Sequence, residues 1–548
     1  MQGTLGRVTS TVVTALVLAS CAGHGVGTVT ADRTNAELVA ALSSHCTDVV
    51  ADDLGEGTLC VDTGFRADVD QFSFANYGRL PEADMNVTIQ TLVDLFGHSN
   101  VCMPGPDTAC ILRPRTRQKL DEWNVALGGG RCEGIAALSQ RMHLRYETAD
   151  EYSAGASTAS QLEKSNVRLA QSITYWWATQ FVPEVARTAA ESRKKSPLVL
   201  VDELIRGLVN GTGHTVGMYF AGTGHSVTPF AVTRRGDDFV IHVYDNNRPG
   251  VRAEISVSGS TNTWSFVPGT SGEESPAEWY GGTGTLELTP LAARQGPFTC
   301  PFCDEPAPDG ATVITVANQS DAPPNWVMID AGDAGTIEET AAGFTVGIKG
   351  ATVEHAKAGV TSAVTMTLPP SVTSLRLELR HSRAQDTESV VTVRRPRMAD
   401  VQVRNARSTA MVGAVRVTAP LLEITAGSTK VSATAQDTVV SLAGATNLAT
   451  VTVARDDSLL VSAVDDHSIE VSYKGAAGTS SQVVPLHPGS STVTELVVSK
   501  GHLDAWSRVP GAQPVSPART TRSSPLPRST TTLAPQVTVP TIEVTLPG

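Results

Sequence analysis

The chain has 548 residues, a formal net charge of −13 and 41% hydrophobic residues. This length is typical of two or three domains, and the apolar content is sufficient for buried cores. The acidic balance argues against nucleic acid as the main partner, because phosphate binding needs a basic face.

The first 20 residues have the pattern of a signal peptide. Arg7 is its one charge, and residues 8–19 are apolar but too short to span a membrane as a mature helix. The segment ends in Leu18-Ala19-Ser20-Cys21, which resembles the bacterial lipobox. This resemblance implies an exported lipoprotein, anchored through lipid on Cys21 to the outer face of the bacterial cell membrane, with residues 21–31 as a tether. The alternative is an ordinary cleaved secretory signal.

Residues 32–304 are expected to form an α+β domain. Helical periodicity predicts helices over residues 35–50, 87–96, 157–181 and 198–209, with an aromatic loop or strand at 72–78. From residue 214 the apolar pattern changes to a period of two, which predicts strands at 214–219, 226–232, 239–244, 251–258 and 263–267. The turn signal at Gly236 indicates that the second and third of these strands form a hairpin.

The second half of the chain is expected to be all-β. Residues 304–310 have the composition of a domain boundary, and short Val/Thr-rich strands recur between turn residues over 311–505. This pattern predicts a β-sandwich, with a β-solenoid as the alternative, because no strict repeat period is evident. Residues 509–548 are rich in Pro, Ser and Thr and are predicted to be a disordered tail.

The cysteine count is informative because export implies an oxidising compartment. If Cys21 carries lipid, seven cysteines remain, and one of them has no partner within the chain. Three pairs are close in sequence and are disulfide candidates, although six cysteines permit fifteen pairings: Cys46 with Cys60, Cys102 with Cys110, and Cys300 with Cys303. Only Cys132 has no sequence neighbour. No second ligand pair accompanies Cys300 and Cys303, so neither a metal nor another cofactor is expected.

Cys132 is the candidate nucleophile. It follows three glycines, 128–130, and opens an apolar-periodic helix. The positive end of a helix dipole favours a thiolate, and the free N–H groups of the first turn are able to hold an oxyanion. The alternative is a buried structural thiol.

A thiol nucleophile needs a base, and the base needs an orienting group. If strands 226–232 and 239–244 pair about Gly236, His225 lies within about 5–8 Å of residues 245–249, which places it beside Asp245. His214 also begins a strand but has no comparably placed carboxylate, His242 lies mid-strand, and His143 is at the far end of the Cys132 helix.

The order of these motifs resembles the papain-like cysteine peptidase superfamily. The resemblance covers about residues 70–260 and is carried by GGGRCEGIAALS, GHSVTPFAV and VYDNN. It implies that Cys132 attacks a carbonyl, that His225 is the general base and acid, and that Asp245 orients His225, with Asn246 as the alternative orienting residue. The oxyanion-hole glutamine of the family is missing, and Asn124 is the nearest candidate to replace it. Glu133 stands where the family commonly has an aromatic residue.

Two related readings remain open. Transglutaminase-like domains use the same set of Cys, His and Asp residues, although the spacing between their Cys and His is usually shorter than the spacing here. Residues 214–219, HTVGMY, resemble the histidine motif of bacterial cell-wall endopeptidases. If His214 is the base, the expected substrate is a peptidoglycan peptide.

The expected function is therefore a surface-tethered cysteine hydrolase that cleaves peptide or isopeptide amide bonds in a peptide or protein substrate. A binding or adhesion protein is the competing hypothesis. In that case the thiol domain is inactive and the β-rich region binds a cell-wall or surface partner. An odd free thiol in an oxidising compartment favours the enzyme.

Overall fold

A computed structural model describes residues 33–50, 54–55, 57–103, 110–267, 278–303, 310–318, 327–340, 343–357, 363–381, 389–396, 398–405, 417–418, 421–425, 427–433, 437–444, 448–465, 467–485, 493–499 and 502–508. The predicted signal peptide, Cys21, the tether and the predicted tail at 509–548 lie outside these residues. Within the described part of the chain, no helix is both long enough and apolar enough to cross a membrane. The architecture is α+β, with helices first and antiparallel sheets after them.

The described helices precede every strand of the first sheet except one, which lies between the first and second helices. They are α1 (Asn35–Ser43), α2 (Ala67–Asp70), α3 (Ile89–Phe96), α4 (His98–Val101), α5 (Pro114–Ala126), α6 (Cys132–His143), α7 (Val167–Ala178), α8 (Pro183–Arg193) and α9 (Pro197–Val209). Short 3₁₀ turns lie at Ala83–Met85, Leu127–Gly129, Ala149–Glu151, Ala159–Gln161, Thr179–Phe181, Leu291–Arg294 and Gly332–Ala334. Proline opens α5, α8 and α9, where its missing N–H has no cost.

Two helices are shorter than their sequence patterns predict. The helix predicted over 35–50 ends at Ser43, because the chain then turns to pair with the next strand, and the N–H of Thr47 donates to the carbonyl of Leu59. The helix predicted over 157–181 begins only at Val167, where Asn166 accepts a bond from the N–H of Leu169 and caps the helix. In both cases a local hydrogen bond decides where the helix ends or begins.

The first sheet has eight strands and holds the predicted hairpin. The strands are β1 (Thr58–Asp62), β2 (His214–Phe220), β3 (Thr223–Arg235), β4 (Asp238–Tyr244), β5 (Ala253–Val257), β6 (Trp264–Phe266), β7 (Trp279–Gly281) and β8 (Leu286–Pro290). Their order is β7-β6-β5-β4-β3-β2-β8, and β1 pairs with β3. Strands β3 and β4 turn at Gly236, which has a φ of 64°, and Thr228 pairs with Tyr244. This register confirms the predicted hairpin.

The β-rich region, residues 311–505, consists of two larger sheets. One has ten strands: β10 (Val327–Asp330), β11 (Thr336–Thr340), β12 (Gly343–Val346), β15 (Ser374–His381), β18 (Val417–Thr418), β19 (Leu421–Thr425), β20 (Ser428–Ser432), β23 (Ser458–Asp465), β24 (Ser468–Gly475) and β25 (Gly478–Pro485). The other has nine: β9 (Thr312–Asn318), β13 (Thr352–His355), β14 (Ala363–Leu368), β16 (Ser389–Arg394), β17 (Asp400–Asn405), β21 (Thr438–Ala443), β22 (Leu448–Val453), β26 (Val493–Ser499) and β27 (His502–Arg508). One apolar core draws on both sheets, with Leu377 and Leu459 from the first and Val364 and Val440 from the second.

The helices and the β-rich region share a further core. Trp123 of α5 and Phe302 belong to the same buried cluster as Ala317 of β9 and Val390 of β16. Polar contacts cross the same surface, because the side chain of Gln118 on α5 donates to the carbonyls of Asp400 at 3.2 Å and Ser441 at 2.9 Å. The described residues on either side of the expected boundary at 304–310 therefore pack as one compact unit.

Candidate active site

Cys132 is the first residue of α6, directly after the glycine turn. Gly130 has a φ of 130°, a left-handed conformation that only glycine adopts without strain, and it connects the 3₁₀ turn to the helix. A Cβ on Gly134 would lie 1.9 Å from the carbonyl oxygen of Ile173 on α7, so the two helices pack at backbone distance. The start of α6, and with it Cys132, is therefore held closely in place.

Arg131 anchors the loop before Cys132 from inside the protein. Its buried guanidinium donates to the carbonyl of Met85 at 2.7 Å, to Thr174 at 2.8 Å and to Asn86 at 2.8 Å. The group also lies 4.5 Å from the centre of the Tyr77 ring. Burial lowers the pKa of Arg131 to about 10. No pattern in the sequence indicates this role, because arginine is ordinarily a surface residue.

His225 and Asp245 lie side by side at the ends of β3 and β4. The Nε2 atom of His225 is 2.8 Å from Oδ1 of Asp245. The same carboxylate oxygen accepts the backbone N–H of Asn247 at 2.9 Å, which fixes its direction. A carboxylate on one ring nitrogen fixes the orientation of the imidazole and leaves its other nitrogen for chemistry.

Cys132 interacts with the imidazole of His225 and raises its pKa. The other ring nitrogen, Nδ1, is buried and has no hydrogen bond of ordinary geometry among the described residues. Burial lowers the pKa of His225, whereas Asp245 and then Cys132 raise it more strongly, to about 10. The structure thus brings Cys132, His225 and Asp245 into one contiguous group in which a protonated imidazole is favoured.

Asn246 and Asn76 connect the loops around this group. The side chain of Asn246 donates to the carbonyls of Cys132 at 3.1 Å and Ser226 at 2.8 Å, so it ties the start of α6 to β3 while Asp245 orients the imidazole. Asn76 accepts the N–H of Arg131 at 2.7 Å and donates through its amide to Asn247 at 3.1 Å. Asn76 therefore lies between the residues that flank Cys132 and Asp245, although the sequence indicated only an aromatic loop there.

Asn124 is not available for the oxyanion role that the sequence suggested. Its amide nitrogen donates to the carbonyls of Val87 at 2.9 Å and Leu120 at 3.0 Å, and its oxygen accepts the N–H of Val87 at 3.1 Å. These bonds use both amide hydrogens to hold the chain before α3 against α5. Because Cys132 opens α6, the free N–H groups of the first turn of that helix are the candidate oxyanion donors instead.

The other histidines have separate surroundings. His214 packs beside Gly207, whose added Cβ would lie 2.4 Å from the imidazole, and burial lowers the pKa of His214 to about 4. His143 is 3.1 Å from Asp70, and His242 is 2.9 Å from Thr233. The described contacts therefore give His214 neither the thiol nor a carboxylate partner.

The thiol group is closed off from solvent. Cys132 is 0% exposed, and His225 and Asp245 are each 1% exposed. A cavity of about 250 Å³ lies elsewhere, between α5, α8 and the β-rich region, and Cys132 is not among its lining residues. A substrate therefore reaches the thiol only if covering residues move.

The other described cysteines form the three disulfides expected from their spacing. The pairs are Cys46–Cys60, Cys102–Cys110 and Cys300–Cys303, and Cys132 is free and buried. His98 lies near Cys102 and Cys110 in an arrangement of potential metal ligands. Because those two sulfurs are joined to each other, neither is a thiolate able to bind a metal.

Comparison of the chain with protein-family models, with curated proteins and with solved structures finds no match. The resemblance to papain-like peptidases therefore rests on the motifs of this chain and on the placement of Cys132, His225 and Asp245. Lipidation of Cys21 and export remain predictions, because they depend on residues outside the described ranges.

Proposed function

We propose that this protein is a thiol hydrolase that cleaves peptide or isopeptide amide bonds, with Cys132 as nucleophile and His225 as base and acid. The observation that supports it best is His225 itself, which contacts Asp245 through Nε2 and interacts with Cys132. Nucleophilic thiol chemistry requires this order of groups: a thiol, a base and a residue that orients the base.

The reaction proceeds in two steps. The thiol proton resides on His225 while the sulfur of Cys132 forms a bond to the amide carbon, and the amine leaves with the proton from His225. Water then attacks the resulting thioester and gives a proton to His225, and the sulfur is released as the acid product leaves. The N–H groups at the start of α6 are the donors placed to stabilise the oxyanion in both steps.

The lipobox-like end at Cys21 extends this proposal to location. A tethered hydrolase on the outer face of a bacterial membrane acts on peptides or proteins of the cell surface or cell wall. Mass analysis of the N-terminal peptide tests this point, since acylation of Cys21 is expected, and an unmodified cleaved terminus refutes it. Hydrolysis through His214 has less support, because that imidazole packs beside Gly207.

One observation favours a second candidate, an inactive domain on a binding protein. Complete burial of Cys132 is also what a structural thiol shows. The two candidates differ in what the thiol does when it becomes accessible. Once covering residues move, an activated cysteine reacts faster than an ordinary one, whereas a structural cysteine has no activating partner and does not.

Labelling of the native protein with iodoacetamide and a thiol-directed epoxide near neutral pH decides between them. We expect modification confined to Cys132 and faster than that of a free cysteine in a peptide, with a large loss in His225→Ala and a smaller one in Asn76→Ala. The matched control is His502→Ala, because His502 is exposed on β27, and it is expected to label as the wild type does. Labelling no faster than the peptide refutes the hydrolase and supports the inactive domain.

A further inference from the structure

Glu133, the residue after Cys132, has a carboxylate that is completely buried. It accepts hydrogen bonds from Arg294 and from the hydroxyl of Thr215, and its second oxygen lies 3.0 Å from Nζ of Lys357. A buried carboxylate is costly unless it is paired, so these partners determine where the Glu133 side chain can lie. Because Glu133 is in the first turn of α6, they also constrain the turn that carries Cys132.

Lys357 reaches this site from the β-rich region. It follows β13, and 3% of its side chain is exposed. Its backbone is bonded in both directions to Gln180, which accepts the N–H of Lys357 at 2.6 Å and donates to its carbonyl at 3.3 Å. Burial lowers the pKa of Lys357 to about 8, against the opposing effect of Glu287. A lysine buried in this way and held through its own backbone is a fixed part of the structure rather than a surface residue.

Lys357 joins two ion pairs that are otherwise separate. Its ammonium contacts both Glu133 and Glu287. Without it, Glu133 retains Arg294, and Glu287 retains Arg193. Removal of the lysine therefore leaves Glu133 and Glu287 each with a cationic partner, so neither becomes an uncompensated anion. What is lost is the connection between the β-rich region and the first turn of α6.

We infer that Lys357 is a positioning residue for Cys132, and that the β-rich region thereby completes the thiol site instead of serving only as a separate binding module. This inference rests on the proposed function. Successive residues of a helix point about 100° apart, so a carboxylate held on one face fixes the direction of its neighbour. Lys357 and Arg294 hold Glu133 within the protein, and Cys132, the residue before it, interacts with His225.

The test is a double-mutant cycle on the full chain with Lys357→Met and Glu133→Gln, read as the rate of iodoacetamide labelling of Cys132 across pH. If Lys357 acts through Glu133, each single variant slows labelling by about tenfold or more, as expected for a displaced reacting group. The double variant is then no slower than the worse single variant. The control is Lys430→Met, which removes a half-exposed lysine that is 2.6 Å from Glu423. It is expected to label at the wild-type rate.

Wild-type labelling in Lys357→Met, or effects that add in the double variant, overturns the inference. Thermal unfolding shows whether each variant still folds. If a single variant does not fold, the double variant, which removes one charge of each sign, is compared with the wild type instead.

Hydrogen exchange separates this inference from the proposed function. If wild-type Cys132 labels no faster than a peptide cysteine, the hydrolase is refuted. In that case, Lys357 still positions α6 if the backbone amides of residues 132–143 are less protected from exchange in Lys357→Met than in the wild type, while those of residues 197–209 are unchanged. Unchanged protection of residues 132–143 refutes the inference.

Discussion

Replacement of Asp245 by Asn tests the pairing at the centre of the proposed site. The substitution keeps the shape of the side chain and an oxygen that is able to accept the N–H of Asn247, but it removes the negative charge 2.8 Å from Nε2 of His225. Burial lowers the pKa of a histidine, and in the variant only Cys132 opposes it, so the pKa of His225 is expected to fall well below the wild-type value of about 10.

The size of the effect follows from the pKa of His225. In the wild type, burial disfavours the protonated form of His225, whereas Asp245 and Cys132 favour it. The net result is that the pKa of His225 rises from 6.5 to about 10. Each pKa unit corresponds to about 1.4 kcal/mol, so the upper limit of the stabilisation is about 5 kcal/mol. Because the pKa of His225 is higher in the folded protein than in the unfolded chain, this stabilisation is fully present below pH 6.5 and is lost as the pH rises toward 10.

The assay is denaturant unfolding of wild type and Asp245→Asn at a series of pH values from about 6 to 10. The free energy of unfolding is expected to differ by a few kcal/mol at the low end and to converge at the high end. Comparison of the two proteins cancels other groups, including Lys357, that titrate in both. Asp237→Asn is the matched control, since Asp237 is 78% exposed in its side chain. A difference between wild type and Asp245→Asn that does not shrink with pH refutes the assignment of His225 as a protonated partner of Asp245.

Two further predictions concern packing and acid stability. Gly134→Ala is expected to destabilise the protein by about 3 kcal/mol, because its Cβ would meet the Ile173 carbonyl at 1.9 Å. The control Gly282→Ala should be nearly neutral, because no atom lies within 4 Å of the added Cβ. Equal unfolding midpoints for the two variants contradict this prediction. Burial lowers the pKa of His214 and His355 to about 4, so stability present above pH 6.5 is expected to fall between pH 6.5 and 4, by at most about 3 kcal/mol for each group. We expect His355→Gln to reduce this loss of stability, measured by denaturant unfolding at the two pH values, and the exposed His502→Gln is the control. If the loss is unchanged in His355→Gln, His355 is not a source of it.

The hairpin was predictable because both of its determinants are local. The turn at Gly236 and the alternation of apolar residues pair β3 with β4, and despite a bulge between Pro229 and Ala231 this pairing brings His225 near Asp245. The cysteine pairs were predictable for a similar reason, because each closes a short loop, with separations of 14, 8 and 3 residues.

Three contacts between residues distant in sequence, those of Asn124, Asn76 and Lys357, were not predictable. Asn124 was chosen for its closeness to Cys132 along the chain, but α5 carries its amide to Val87, and its hydrogen bonds are used there. Asn76 and Lys357 lie far from Cys132 in sequence, and only the folded chain places them beside its neighbours. An Asn in a loop or a Lys after a strand has no periodicity or spacing that indicates burial at a site.

The bonds of Gln118 to the β-rich region have a consequence for biosynthesis. Its amide partners follow it by 282 and 323 positions, and a ribosome adding about 5–20 residues per second needs on the order of tens of seconds to supply them. During that time the part of α5 that packs on the β-rich region lacks its partners there. The helices that carry the thiol thus reach their final packing only near the end of synthesis, and we expect the nascent chain to depend on a holding chaperone until then.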